Sequence, residues 1–219
     1  MKEQPFRLTF TLRTPMVEAH TDKTLDAVLS WAAVQRAEYQ NLAEPFAVQH
    51  DLPLARHQAG DDWCFMASNL SYAWVGERGA VHYIKRQRAE DYANAWLNGL
   101  LLKLNKSNID MTRGSSKAAT CVQSLRAASA VTAWGIGDIE EIKKLLPFVT
   151  HIGKLHHHDH GAVARWEITE DKASHEKWKY RVLPFGSSVA TGASHALSTG
   201  GLIAPYWNRG SHKRIFVPV

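Results

Sequence analysis

Residues Gly135–Ile168 read GIGDIEEIKKLLPFVTHIGKLHHHDHGAVARWEI, which parses as a turn, a short capped helix, a glycine-bounded polar loop and a returning strand. Asp138 stands where a helix cap stands, and Glu141 follows three residues on, the spacing of a capping box. Ile139, Ile142, Leu145 and Leu146 share one helical face, and Pro147 limits further extension. Lys143 and Lys144 sit toward the carboxyl end, where the helix dipole favours cations. Beyond the helix, Ala164, Trp166 and Ile168 alternate with Arg165, Glu167 and Thr169, the pattern of a half-buried strand. The loop between them, Gly153 to Gly161, is basic and rich in histidine, so it is expected to contact a ligand.

Working outward, Phe6, Leu8, Phe10 and Leu12 alternate with polar residues and predict a first strand. Thr21 or Asp22 is expected to open a helix running to about Tyr39, with Leu25, Val28, Leu29, Ala32 and Ala33 at helical spacing. Residues 63–74 predict a strand, Val75-Gly76-Glu77-Arg78-Gly79 a turn, and Val81 to Ile84 a return. Asp91 to Leu104 reads as a helix despite Gly99, and Leu125 to Trp134 as a strand. The resulting order is strand, helix, strand, strand, helix, strand. This predicts an α+β chain with a ferredoxin-like (RRM-like) βαββαβ core. It is expected to form a single domain over residues 1–219, with an insertion at about 41–120 and an irregular extension from about 174.

The chain has 219 residues, 45% of them hydrophobic, and a formal net charge of +5. That is enough apolar material for a core, and the basic excess favours an anionic partner. No apolar run is long enough for a membrane span and the amino end lacks a signal-peptide core, so the expectation is a cytoplasmic protein without a membrane partner. Cys64 and Cys121 are too far apart in sequence to make a metal-binding motif and are read as buried thiols. Of the eight tryptophans, Trp63, Trp74, Trp96, Trp134 and Trp166 lie in apolar or alternating segments and are expected in the core.

Several groups suit phosphate or base contacts. Arg113, Gly114 and Lys117 combine close backbone approach, a guanidinium fork and a further charge. Gly153 and Lys154 can present backbone N–H groups and an ammonium. His156, His157 and His158 can stack on or contact RNA, and Lys85, Arg86 and Arg88 form a local basic cluster. Tyr206 and Trp207 beside Arg209 read equally as a stacking pair or as a structural plug. The histidines from His156 to His160 also have metal-ligand chemistry, but adjacent residues do not readily converge on one ion, so no metal and no cofactor are expected. His20 or His151 is a candidate acid or base for RNA cleavage, without a convincing partner.

An ordered set of residues resembles a known family. It comprises the first strand, the helix from Leu25 to Trp31, Arg113-Gly114-x-x-Lys117, Gly137-Asp138, Thr150-His151-Ile152-Gly153-Lys154 with Gly161 and Val163, Arg181-Val182-Leu183-Pro184, and Pro205-Tyr206-Trp207. Together they resemble the Cas-five-like subunit (Csf-three) of type IV CRISPR effector complexes, within the repeat-associated RNA-binding (RAMP) superfamily of ferredoxin-like folds. This chain departs from the pattern in the loop, where His156 to His160 stand in place of a basic run with Gly-x-Gly. The resemblance implies a non-catalytic subunit that holds the 5′ repeat-derived handle of the CRISPR RNA and caps the backbone of the complex. It further implies backbone, large and processing subunits as partners, and a contact with target DNA near its flanking motif. The alternative is a Cas-six-like, metal-independent endoribonuclease on the same fold.

Overall fold

The structure, a computed structural model, describes residues 2–18, 23–85, 89–99, 117–192, 194–206 and 208–219. The chain divides into two compact units, one formed by residues 1–77 and 126–219 and the other by residues 78–125.

The first unit is built round strand β1 (Gln4–Leu12), whose Phe6, Leu8 and Phe10 are fully buried. Alternation puts all three on one face of the pleat, and burying each side chain contributes roughly 1.5–3 kcal/mol. The strand is central because both of its edges are paired. After the short β2 (Met16–Val17), helix α1 (Leu25–Tyr39) follows. Its cap is Thr24, whose Oγ1 accepts from the Ala27 N–H, and not Thr21 or Asp22, which lie outside the described residues. Thr24 wins because its backbone is already extended in a bridge to Asn69, while the Leu25 N–H donates to the Ser68 carbonyl.

Next come a 3₁₀ turn at Pro45–His50 and a hairpin of β3 (Arg56–Ala59) and β4 (Asp62–Phe65). Strand β5 (Ser71–Lys85) then runs straight through the segment expected to be a turn. It pairs with β6 (Ala119–Gly137), whose length supplies a ladder that outweighs the local glycine signal. Gly76 takes φ +69 inside the strand, a conformation that kinks the backbone without reversing it. Helix α3, Ile139–Lys143, follows β6 as the sequence predicts. The Asp138 carboxylate accepts from the Glu141 N–H, and Ile139, Ile142, Leu145 and Leu146 are all buried. The helix numbered α2 precedes it in the chain and belongs to the second unit. Strand β7 (Val163–Glu170) closes this part.

β6 and β7 pair antiparallel with β1 on either side, Leu8 standing opposite Ala133 and Ile168. The sheet runs β2–β6–β1–β7, with β5 also on β6. Residues 174–219, expected to be irregular, carry a short helix α4 (Ser174–Lys177) and a three-stranded antiparallel sheet. Its strands are β8 (Leu183–Pro184), β9 (His195–Gly200) and β10 (Lys213–Pro218), in the order β8–β10–β9. The chain is therefore a mixed helix and strand protein with antiparallel sheets. No helix among the described residues is long and apolar enough to cross a membrane.

The second unit holds the outer part of β5, helix α2 (Ala89–Leu97) and the beginning of β6. The expected helix ends earlier than Leu104, in a turn at residues 98–99 where Gly99 takes φ +68. Trp96 is 57% exposed and so is not a core tryptophan.

Within the first unit, a buried charge fastens the carboxyl-terminal segment to α1. Arg181 and Asp26 are both completely buried and form an ion pair at 3.1 Å. The Arg181 guanidinium also donates to the carbonyls of Phe65, Ala67, Leu202 and Val182, and to the Tyr206 hydroxyl. Tyr206 in turn donates to Asp26, so it is the structural plug and not a stacking surface. Burial opposes the Arg181 charge, but Asp26 beside it more than offsets this and raises its pKa. Cys64, next to this network, is pushed up to about 11 by burial, with Arg181 opposing and Asp26 adding. Alkylation needs the thiolate. At about pH 8 iodoacetamide is therefore expected to modify the exposed Cys121 in the folded chain and to reach the buried Cys64 only after denaturation. Peptide masses read the two sites separately, and equal labelling rates would contradict the burial of Cys64.

Candidate nucleic-acid interface

The polar loop after α3 lies against the link between β1 and β2. Gly161 N–H donates to the Pro15 carbonyl, Arg13 N–H to the Ala162 carbonyl, and Val17 bridges Lys154. Asp159 is the side chain that fastens it. Its carboxylate takes Arg13 at 3.1 Å and His151 at 3.2 Å, while its backbone carbonyl accepts from Thr14 Oγ1 at 2.6 Å. Hydrogen bonds from His151 and then Arg13 hold the Asp159 carboxyl below its ordinary pKa. These contacts stabilise the ionised carboxylate, so their contribution is complete above the usual carboxylate range and is lost as pH falls through the lowered value. Four left-handed residues shape the loop: Gly153, Leu155, Asp159 and Gly161 have φ of 110, 58, 61 and 69°. The histidines His156–His158 form a 3₁₀ turn on its outer side, and all three are exposed.

Facing this loop is one flank of α1. Ala27, Val28 and Trp31 recur at helical spacing and line a cleft of about 220 Å³ with Thr150–Gly153 and His156. Trp31 is 49% exposed, although a tryptophan in an apolar helix is ordinarily covered. The His156 ring lies 6.3 Å from the Trp31 ring, centre to centre, and a further 6.3 Å separates it from His151. Lys23 enters the cleft from the residue before the helix cap, its backbone fixed by the Leu70 N–H on its carbonyl at 2.7 Å. Burial, and after it the nearby charge of Lys154, lower the Lys23 pKa. The Lys23 ammonium at this cleft offers a counter-charge to an anion.

A larger groove of about 550 Å³ lies between α1, the 45–50 turn and α3, but three carboxylates (Asp51, Asp138, Glu141) oppose one guanidinium (Arg36) there. That charge balance is wrong for phosphate.

Of the residues singled out from sequence, Gly153, Lys154 and His156–His158 are brought together on this loop. Lys117 is exposed and belongs to the second unit, just before β6. Lys85 ends β5. Arg113, Gly114, Arg86, Arg88, His20 and Trp207 lie outside the described residues. Among the described residues, no three His, Cys, Asp or Glu side chains are grouped so that they could hold a metal ion. Sequence reasoning missed Lys23 and Trp31 as site residues. The available signal was a lysine and a tryptophan eight residues apart, astride a helix start and ahead of a Gly-Lys loop.

Comparison with known families bears on this geometry. The sequence model of the family described as CRISPR type IV associated protein Csf3 matches residues 4–218. No curated protein matches the chain. The chain belongs to the Csf3 family, which is part of type IV CRISPR complexes, so its partners are the other subunits of such a complex.

Proposed function

We propose that this member of the Csf3 family is a non-catalytic RNA-binding subunit. It holds the 5′ repeat-derived handle of the CRISPR RNA and caps the backbone of the complex, beside the large subunit and the entering target DNA. The observation that carries the RNA reading is a cleft in which Lys23 and the half-exposed Trp31 stand beside the Thr150–Gly153 segment. Phosphate contacts supply most of the affinity for single strands, and aromatic platforms take the bases. The strand order supports a ferredoxin-like core: numbered by chain order, the core strands β1, β5, β6 and β7 run 2-3-1-4, with α1 and α3 in the connections. His151 has both ring nitrogens engaged, with Thr150 at 3.0 Å and Asp159 at 3.2 Å, which speaks for positioning the loop over acid–base work.

The test is to mix the purified chain, alone and in the assembled complex, with labelled repeat RNA in chelator over a salt series. Intact RNA should be retained, with affinity falling as salt rises. Lys154→Ala should weaken it and flatten the salt slope by about one. Alanine at both Arg113 and Lys117 should weaken it further. Unchanged retention there would remove those two residues from the site. Cleavage at one position would replace this reading with a ribonuclease. No retention in either form would overturn it.

A further inference from the structure

We propose that the cleft beside Trp31 is a pocket for one unpaired nucleotide of the bound RNA, its base stacked on the Trp31 ring and its phosphate on Lys23. This rests on the RNA-binding reading above and adds to it a particular subsite. Four observations converge on it.

The cleft is about 220 Å³, below the usual size of a pocket for a drug-sized ligand, so it suits one base and excludes a paired stack. Its lining includes the apolar Ala27, Val28, Val149 and Ile152, which suit the face of a base. The Trp31 and His156 rings are 6.3 Å apart and inclined at 47°. The Trp31 ring is half exposed and inclined away from His156, so its open face is available to a base. Finally, Lys23 lines the same cleft, so its ammonium is placed to take the phosphate of a nucleotide whose base lies on Trp31.

Every contact invoked is to a base face or a phosphate. The pocket therefore tolerates any base and counts nucleotides, fixing where along the strand one unit is lifted from its neighbours.

The test pairs protein and RNA changes. Labelled single-stranded repeat RNA, and a set of the same RNA with one abasic position each, are titrated against wild type, Trp31→Ala and Trp31→Phe. Trp31→Ala is expected to weaken binding about 10-fold or more, and Trp31→Phe to restore most of it. One abasic RNA should lose as much against wild type and nothing further against Trp31→Ala, because both changes remove the same stack. Thermal unfolding of Trp31→Ala, whose ring is half exposed, checks that the fold is kept. If wild type retains RNA while Trp31→Ala binds equally well, or if the losses from Trp31→Ala and every abasic site simply add, the pocket is wrong and the RNA reading stands. If wild type retains no RNA, alone or in the complex, both fall.

Discussion

Asp26→Ala is expected to destabilise the chain by about 3–5 kcal/mol, the cost of stranding one partner of a buried ion pair. Arg181 would keep its charge, since a guanidinium does not deprotonate in a protein, with no counter-ion in a site closed to water. Tyr206 would lose the acceptor of its hydroxyl proton in the same step. Against a total of about 5–15 kcal/mol for a typical domain, that loss is a large fraction, and the midpoint of thermal unfolding should fall by roughly 10 °C. Adding Arg181→Met to Asp26→Leu should recover only part of it. Exchanging a buried pair for apolar groups is often harmless, but here the guanidinium also donates to the carbonyls of Phe65, Ala67, Leu202 and Val182, and methionine supplies none of those bonds. A single mutant with a midpoint within about 2 °C of wild type, a shift of about 0.5–1 kcal/mol, would show that the pair does not hold the segment in place.

Gly161→Ala should act just as strongly, but on the loop. Gly161 has φ +69, and a Cβ there would collide with the Ile152 carbonyl oxygen, a backbone atom that has no room to swing aside. The Ile152 N–H donates to the Gly161 carbonyl at 2.8 Å, so relieving the clash breaks the pairing that closes the loop. The left-handed strain alone is worth about 1–3 kcal/mol. Hydrogen exchange should quicken for residues 150–162 while β1 amides remain protected, and RNA retention should fall with it. Gly153→Ala is the control. There the new Cβ meets the flexible Met16 Cε at 3.3 Å, so the steric part of the penalty is smaller. Equal effects at both positions would mean that backbone conformation, and not the Ile152 contact, sets the loop.

What could be read ahead of the structure was local. β1 declares itself because alternation is written in neighbouring residues, and α3 because cap, charge order and apolar face all fall within a few positions. Gly76 and Gly79 signal a turn that β5 does not make, since whether glycine turns a chain or lets it kink depends on a partner strand dozens of residues away. α1 shows the limit most sharply. Side-chain type would bury Trp31 and expose Asp26 and Ser30, whereas the fold buries Asp26 and Ser30 and leaves Trp31 half open. Asp26 sits in the first turn, where an acidic residue reads as a dipole partner, and Arg181 looks like any surface cation. Only the meeting of two distant segments gives them their roles. The same is true of the candidate site: Gly153 and Lys154 stand out in the sequence, while Lys23 and Trp31 enter only once α1 is laid beside the loop.

The Arg181–Asp26–Tyr206 cluster also sets a timetable for the chain as it is made. Asp26 leaves the ribosome 155 residues before Arg181 and 180 before Tyr206. At about 5–20 residues per second, the first helix then waits roughly 10–40 s for the groups that let its carboxylate be buried. Until the last stretch emerges, the Asp26 carboxylate on α1 has neither Arg181 nor Tyr206 beside it, so the helix docks less firmly than in the finished chain.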